Sequence, residues 1–269
     1  MQLSLHLKGK NYAVAGEPID LSIPMVFGGA QPNTYGVAKA VSQAYETGGF
    51  VGDTRRGGSC NFEEYRLVPH CNGTHTECIG HIALERIAIV HELKDAFIPA
   101  VLATVELEAA VDCGELYTVA YNPEDKVITA RALKAALANR PEEFFTALVI
   151  RTLPNDESKK ARDYMQDAPA FFTLDAMHFI RSLGVRHLLT DLPSVDRLFD
   201  EGLLGAHRVY WQIAPGEKNV PENNHSAATI TEMIFVPDAA TDGIYLLNLQ
   251  IAPFVSDAAP SRPLLFGLV

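Results

Sequence analysis

Three imidazoles and a carboxylate stand within a dozen positions in Pro69-His70-Cys71-Asn72-Gly73-Thr74-His75-Thr76-Glu77-Cys78-Ile79-Gly80-His81. Neutral imidazole nitrogens and carboxylate oxygens are the donors that zinc and similar first-row divalent ions take. An ion that keeps one position open to water supports hydrolysis. In an extended chain the side chains alternate between faces. His75, Glu77 and His81 therefore share one parity and converge, provided that a turn at Gly80 brings His81 back. A polar surface loop would use the same residue types, but three of the chain's nine histidines in so short a stretch weigh against it.

Donors from one short segment do not make a rigid site, so polar residues isolated in apolar stretches are the next candidates. In Thr229-Ile230-Thr231-Glu232-Met233-Ile234-Phe235-Val236, strand alternation puts Glu232 on the face of Ile230, Ile234 and Val236. A carboxylate buried there is costly unless it is paired or bound to a metal. If Met233 and Phe235 mark the buried face instead, Glu232 meets water. His207, in Gly205-Ala206-His207-Arg208-Val209-Tyr210-Trp211, reads either as a ligand or as a hydrogen-bonded core histidine. Upstream, Asp191-Leu192-Pro193-Ser194-Val195-Asp196 directly follows an apolar run, where polar residues commonly line a site. Local side-chain-to-backbone bonds in a turn account for the same residues, and we assign the stretch a structural role in support of the site.

The elements that must carry these residues are legible in part. Thr129 is placed to cap a helix through Ala130, Leu133, Ala136 and Leu137, with a breaker at Pro141. Thr173 caps a second through Ala176, Met177, Ile180 and Leu183, closed by Gly184. Apolar runs after each helix, at 147–152 and 185–191, read as strands, so helix and strand alternate as in a parallel crossover unit. Strands are also expected at the N-terminus (Met1 to Lys8) and at 100–106, 228–237 and 243–252. Loop-like stretches fall at 122–125, 153–156 and Pro215 to Asn224. The expected architecture is one mixed α/β domain over residues 1–269, with sheet outweighing helix; no linker supports a division in two.

With 22 Lys+Arg against 33 Asp+Glu, the formal charge is -11. That sign disfavours nucleic acid and anionic membrane as partners, and leaves small molecules and protein subunits. The most apolar stretch, Ile82 to Leu107, is interrupted by charges and cannot span a bilayer. The beginning lacks the basic start and apolar run of a signal peptide, and Cys60, Cys71, Cys78 and Cys113 show no disulfide framework. A cytoplasmic location with reduced thiols is therefore the expectation.

Taken in order, these pieces resemble the cyclase family of metal-dependent hydrolases, which includes bacterial kynurenine formamidase and isatin hydrolase. The family pattern H-x-G-T-H-x-D-x-P-x-H is matched at Gly73, Thr74, His75 and His81. The later D-x-P-S-x-D stretch, histidine and strand glutamate are matched at Asp191 to Asp196, His207 and Glu232. Asp20-Leu21-Ser22 and Ala259-Pro260-Ser261-Arg262-Pro263 also fit, so the likeness spans nearly the whole chain. Three positions depart: the family aspartate is Glu77, the proline is Ile79, and the first histidine is Cys71. A bulge at Asn72-Gly73 would rotate the neighbouring His70 into the site; otherwise Cys71 serves as a thiolate, or a ligand is lost.

The resemblance implies a swivelling β/β/α mixed-sheet fold assembled as a homodimer or homotetramer. It implies one or two zinc or manganese ions held by His70, His75, Glu77, His81, His207 and Glu232. His81, or Glu77 where it is free of the metal, would accept a water's proton and return it to the leaving nitrogen. The substrate would be a small amide, lactam or N-formyl aryl amine, with N-formylkynurenine the leading candidate; a different lactam or lactone is open. Phe27, Tyr35, Phe62, Tyr65 and Trp211 are available to face an aromatic group. A catalytically silent, metal-stabilised binding protein is the reading from another class, since a saturated coordination sphere is a structural one.

Overall fold

The computed structural model describes residues 3–220 and 225–269. Met1 and Gln2 of the expected first strand, and residues 221–224 of the expected loop, lie outside the described residues. Ten strands of the described residues form one sheet. In chain order they are β1 (Ser4–Leu7), β2 (Lys10–Asp20), β3 (His75–Glu77), β4 (Phe97–Glu106) and β5 (Ala147–Leu153). The others are β6 (His187–Thr190), β7 (Thr229–Glu232), β8 (Gly243–Asn248), β9 (Ala258–Pro260) and β10 (Leu264–Leu268). Across the sheet the order is β1-β2-β10-β8-β4-β5-β6-β7-β3-β9.

β4, β5, β6 and β7 run parallel, and the flanking pairs are antiparallel. Parallel neighbours need crossovers. These are supplied by α2 (Ala130–Ala136), α3 (Leu174–Ser182) and α4 (Gly205–Trp211), a single turn α1 (Pro69–Asn72) lying earlier. Both expected caps are present: Thr129 Oγ1 accepts from Ala132 N at 3.0 Å, and Thr173 Oγ1 from Ala176 N at 3.0 Å. The resulting mixed α/β fold is mostly sheet, as expected.

Alternation along the parallel strands divides the core. Val101, Ala103, Leu148, Ile150, Leu188 and Ile230 pack with Leu133, Met177, Ile180, Tyr210 and Trp211 under the helices. Ala100, Leu102, Ala147, Val149 and Leu189 pack on the other face with Tyr245, Leu247 and Leu265. The expected strand 228–237 stops at Glu232, because Met233 takes a left-handed φ of 53°. Glu232 therefore shares the helix face with Ile230, while Ile234 and Val236 turn to the opposite core, and the expected single face does not hold beyond the break.

The loop after β6 is anchored by a buried ion pair. Lys159 Nζ donates to Asp191 Oδ2 (2.8 Å), Thr152 O (2.8 Å) and Thr152 Oγ1 (3.0 Å). Burial raises the Asp191 carboxyl, with Lys159 and Thr152 opposing it. Lys159→Met leaves this carboxylate without its charge partner and is expected to destabilise the fold by about 3–5 kcal/mol at neutral pH. Urea unfolding measures it, and the loss should shrink on acidification as Asp191 takes up a proton. A variant as stable as the parent at pH 8 would contradict the assignment.

Candidate metal centre

β3 lies between β7 and β9 and is antiparallel to both. The register sets Glu232 opposite His75 and Ile230 opposite Glu77. Since side chains directly opposite share a face, His75, Glu77 and Glu232 come together on the helix side by strand geometry alone. Thr76 faces away, its hydroxyl 2.8 Å from that of Thr231. His75, Glu77 and Glu232 are buried, and each offers a donor atom within 4.8 Å of the other two.

The residues before and after β3 do not continue the strand. Pro69, whose fixed φ suits a first helical position, opens one helical turn. Cys71 N and Asn72 N both donate to Val68 O, and Asn72 Oδ1 accepts from Val68 N at 2.7 Å. Successive side chains on a turn diverge by about 100°. His70 thereby faces the cluster, with Nδ1 2.9 Å from Glu77 Oε2. The expected bulge at Asn72-Gly73 is thus replaced by a helical turn. The Cys71 thiol is pushed up to about 11 by burial and by Glu232, and it belongs to neither donor group of the described residues.

After β3 the chain turns as expected at Gly80. A Cβ there would stand 2.1 Å from Ile87 O, so only glycine fits. The turn returns His81 to the cluster with Nδ1 3.8 Å from Glu77 Oε2, and His70, Glu77 and His81 form a second donor group within 4.8 Å. Glu77 is common to both. Cys78 points elsewhere, its thiol donating to Ile87 O at 3.5 Å.

The sixth expected residue, His207, comes from α4. Asp196 in the loop after β6 accepts from Ala206 N (2.6 Å) and His207 N (3.1 Å), capping the helix. It also accepts from His207 Nδ1 (2.6 Å) and from the Tyr117 hydroxyl (2.8 Å). With Nδ1 so held, His207 Nε2 points inward, 2.9 Å from Glu77 Oε1 and 3.7 Å from Glu232 Oε1. Glu232 Oε1 is fixed by Val195 N at 2.8 Å. The Asp191–Asp196 stretch supports the cluster, as expected, through Asp196 and the backbone of Val195.

Sequence reasoning missed Asp257. Its Oδ2 accepts from His70 Nε2 at 2.8 Å and lies 3.6 Å from His81 Nδ1. No spacing marks this residue; the available signal was a polar residue directly preceding the apolar strand β9.

Four carboxylates (Glu77, Glu232, Asp196, Asp257) thus crowd four imidazoles. Burial disfavours an imidazolium at His70, but Asp257 and Glu77 outweigh it and push the group up to about 10. His207 is likewise raised well above its usual value, burial being outweighed by Glu77 and Asp196. Against its own burial, Glu77 is held well below the usual carboxylate range by His81 and His207.

Two atoms stay unpaired in this network. His75 Nδ1 donates to Gly73 O at 3.0 Å, which leaves the Nε2 lone pair directed inward at a distance of 3.5 Å from Glu232 Oε2. His75 Nε2 and Glu77 Oε2 are both buried without a hydrogen-bond partner, the contact of Oε2 with His70 being close but misaligned. Orphaned buried acceptors amid surplus negative charge fit a divalent cation, which imidazole nitrogens and carboxylate oxygens are suited to hold.

Of the aromatic candidates, Trp211 is core: it is buried, packs at a tilt against His207 with ring centroids 5.3 Å apart, and donates to Ala228 O. Phe27 pairs with Tyr65, and Phe62 with Tyr45 and Phe50, around a separate ribbon of Val41–Ala44 and Glu63–Arg66. Tyr35 stands nearer the centre. Its phenol is raised by burial and then by Glu232, Asp200 and Asp196, and its ring meets that of Phe199 edge-on at 6.4 Å. Tyr35 is partly covered, at 45% exposure against 65% for Phe199, and it adopts a left-handed φ of 54°, uncommon for a bulky residue.

The family model described as "Putative cyclase" matches residues 19–197, well over half of the chain. No curated protein matches the sequence. Among solved structures, a potential metal-dependent hydrolase with cyclase activity is 18% identical with a TM-score of 0.59, over 93% of this chain and 98% of that one. Isatin hydrolase A from Labrenzia aggregata, bound to benzyl benzoate, is 14% identical with a TM-score of 0.58 over 93% of each chain. Isatin hydrolase A from Ralstonia solanacearum is 12% identical with a TM-score of 0.58, over 93% of this chain and 91% of that one. At these identities the likeness is one of fold.

Proposed function

The chain belongs to the cyclase family, and from that membership and the buried donor cluster we propose that it is a metal-dependent hydrolase of a small amide. The observation that carries the reading is the pair of orphaned acceptors, His75 Nε2 and Glu77 Oε2, in a pocket of excess negative charge. His75, Glu77, Glu232 and His207 would hold one ion, and His70, Glu77 and His81 a second. Neutral imidazoles and four carboxylates are balanced by two divalent charges. Bound there, zinc or manganese lowers the pKa of water toward neutrality and polarises a carbonyl.

The chain's own groups supply the rest. Glu77 touches donors on both sides and is fully committed to them; with only the first ion bound, His81 is free of metal and is the proton carrier. Its imidazole is 27% exposed, so it reaches both the cluster and solvent. His81 takes the proton of the attacking water and returns it to the departing nitrogen. Tyr35 and Phe199 form an aromatic rim, and the Tyr35 phenol stays neutral beside the carboxylates. This supports a planar aryl amide or lactam such as N-formylkynurenine or isatin. The working assembly is a homodimer or homotetramer.

Metal analysis of the purified protein, with hydrolysis of N-formylkynurenine and of isatin after loading with zinc or manganese, tests the reading. Bound metal with turnover supports it. Bound metal without turnover of either favours the silent binding protein, and absence of metal under all loadings ends the reading. On whichever aryl substrate turns over, Tyr35→Ala is expected to raise KM about tenfold with a smaller change in kcat, from loss of one aromatic contact. An unchanged KM would remove Tyr35 from the substrate's path.

A further inference from the structure

We propose that Asp257 is a positioning residue for metal binding, holding His70 with Nδ1 turned toward Glu77 and so recruiting this histidine to the centre. The inference rests on the metal-binding reading above. His70 sits on a single helical turn, 24% exposed, where nothing in the backbone fixes its ring. Its only well-aligned hydrogen bond runs from Nε2 to Asp257 Oδ2 at 2.8 Å, among the described residues. That bond leaves Nδ1 as the atom facing Glu77 Oε2 at 2.9 Å.

Asp257 is itself firmly placed. It directly precedes Ala258, which is paired with Glu77 across β9 and β3, and its carbonyl accepts from Cys78 N at 3.0 Å. Oδ1 accepts from the Ser256 hydroxyl at 3.1 Å, which leaves Oδ2 for His70. The turn at Gly80 admits it, since a Cβ on that residue would come within 3.2 Å of Asp257 Cβ. The arrangement repeats what Asp196 does for His207: a carboxylate behind one imidazole nitrogen aims the other at Glu77. A carboxylate in that position fixes the tautomer and ring orientation and raises ligand basicity. The same Oδ2 is 3.6 Å from His81 Nδ1, too far for a hydrogen bond, so the geometry assigns Asp257 to His70.

The test is titration of zinc, in competition with a chromophoric chelator, into the full chain and its Asp257→Asn, Asp257→Ala, His70→Ala and His70→Ala/Asp257→Ala variants. Asp257→Ala is expected to weaken zinc binding about 10–100-fold, the effect of removing a group behind a ligand. Asp257→Asn, whose amide oxygen can still accept, should recover part of the loss, and it serves should the alanine variant fail to fold. The double variant should bind no more weakly than His70→Ala alone, because Asp257 acts through that ring. Additive losses would overturn the proposal by assigning Asp257 to His81 or to the metal directly. Parental affinity in Asp257→Ala, or in His70→Ala, would overturn it while leaving the metal centre standing. An unsubstituted protein that takes up no zinc would overturn the metal-binding reading and this proposal together.

Discussion

His75→Ala and Glu232→Ala each empty the position they would share with Glu77 and His207: elemental analysis after gel filtration is expected to find less than about a tenth of the parental content where one ion binds, and at most about half where two do. The two residues face one another across β3 and β7. His75 Nε2 is an orphaned acceptor, and Glu232 is locked by Val195 N, so no neighbour can rotate in to replace either. Loss of a direct donor should exceed the about 10–100-fold that follows loss of a supporting group, and that outpaces retention through chromatography. Thr76→Val is the matched control, since Thr76 lies on the same strand, equally buried, with its side chain on the other face. Full metal content in both variants would sink the centre as drawn. A deficit equal in Thr76→Val would show that strand integrity, and not the donor atoms, was being measured.

Metal affinity should rise steeply with pH well beyond the range of an ordinary histidine. In the metal-free chain His70 is raised to about 10 and His207 well above its usual value, so both are imidazoliums at neutrality. A cation can use their inward nitrogens only by displacing a proton from each. Each displaced proton contributes about a tenfold gain per pH unit for as long as the metal-free group remains protonated. Between pH 6 and 8 the gain should approach about a hundredfold for each ion, the His207 proton leaving with the first and the His70 proton with the second, where histidines of unshifted pKa near 6.5 would level off. Glu77, held well below its usual range, adds no proton in this window. The sign for the metal-free fold is the reverse: stabilisation from the His70 imidazolium is complete below about 6.5 and is lost as pH rises through about 10. Calorimetry in buffers of different ionisation heat counts the protons released. A flat affinity above pH 7, with none released, would refute the argument.

The parts of the site that were legible in the sequence are those set by local geometry. His75 and Glu77 share a face because strands alternate, and His81 returns because only glycine fits at position 80. Thr129 and Thr173 announced their helices through side-chain oxygens that cap them. Glu232 and His207 were ambiguous because their burial depends on sheet order, which no local pattern encodes. The helical turn at Pro69–Asn72 had a signal in its proline, but the glycine-rich surroundings favoured an extended reading. The end of β7 at Glu232 depended on a left-handed methionine, a conformation that composition does not announce. Asp257 was out of reach, because its meeting with His70 requires β9 to lie beside β3.

That placement of β3 has a bearing on biosynthesis. The segment that carries three of the histidines is made well before its two neighbours in the sheet, Thr229–Glu232 and Ala258–Pro260. A nascent chain can present His70, His75 and His81 only as a loose, weakly chelating loop until residue 260 has emerged. Such distant pairing is slow to form. Cofactor acquisition is therefore a late event, confined to chains that have completed translation through β9, and truncated products should emerge without captured metal.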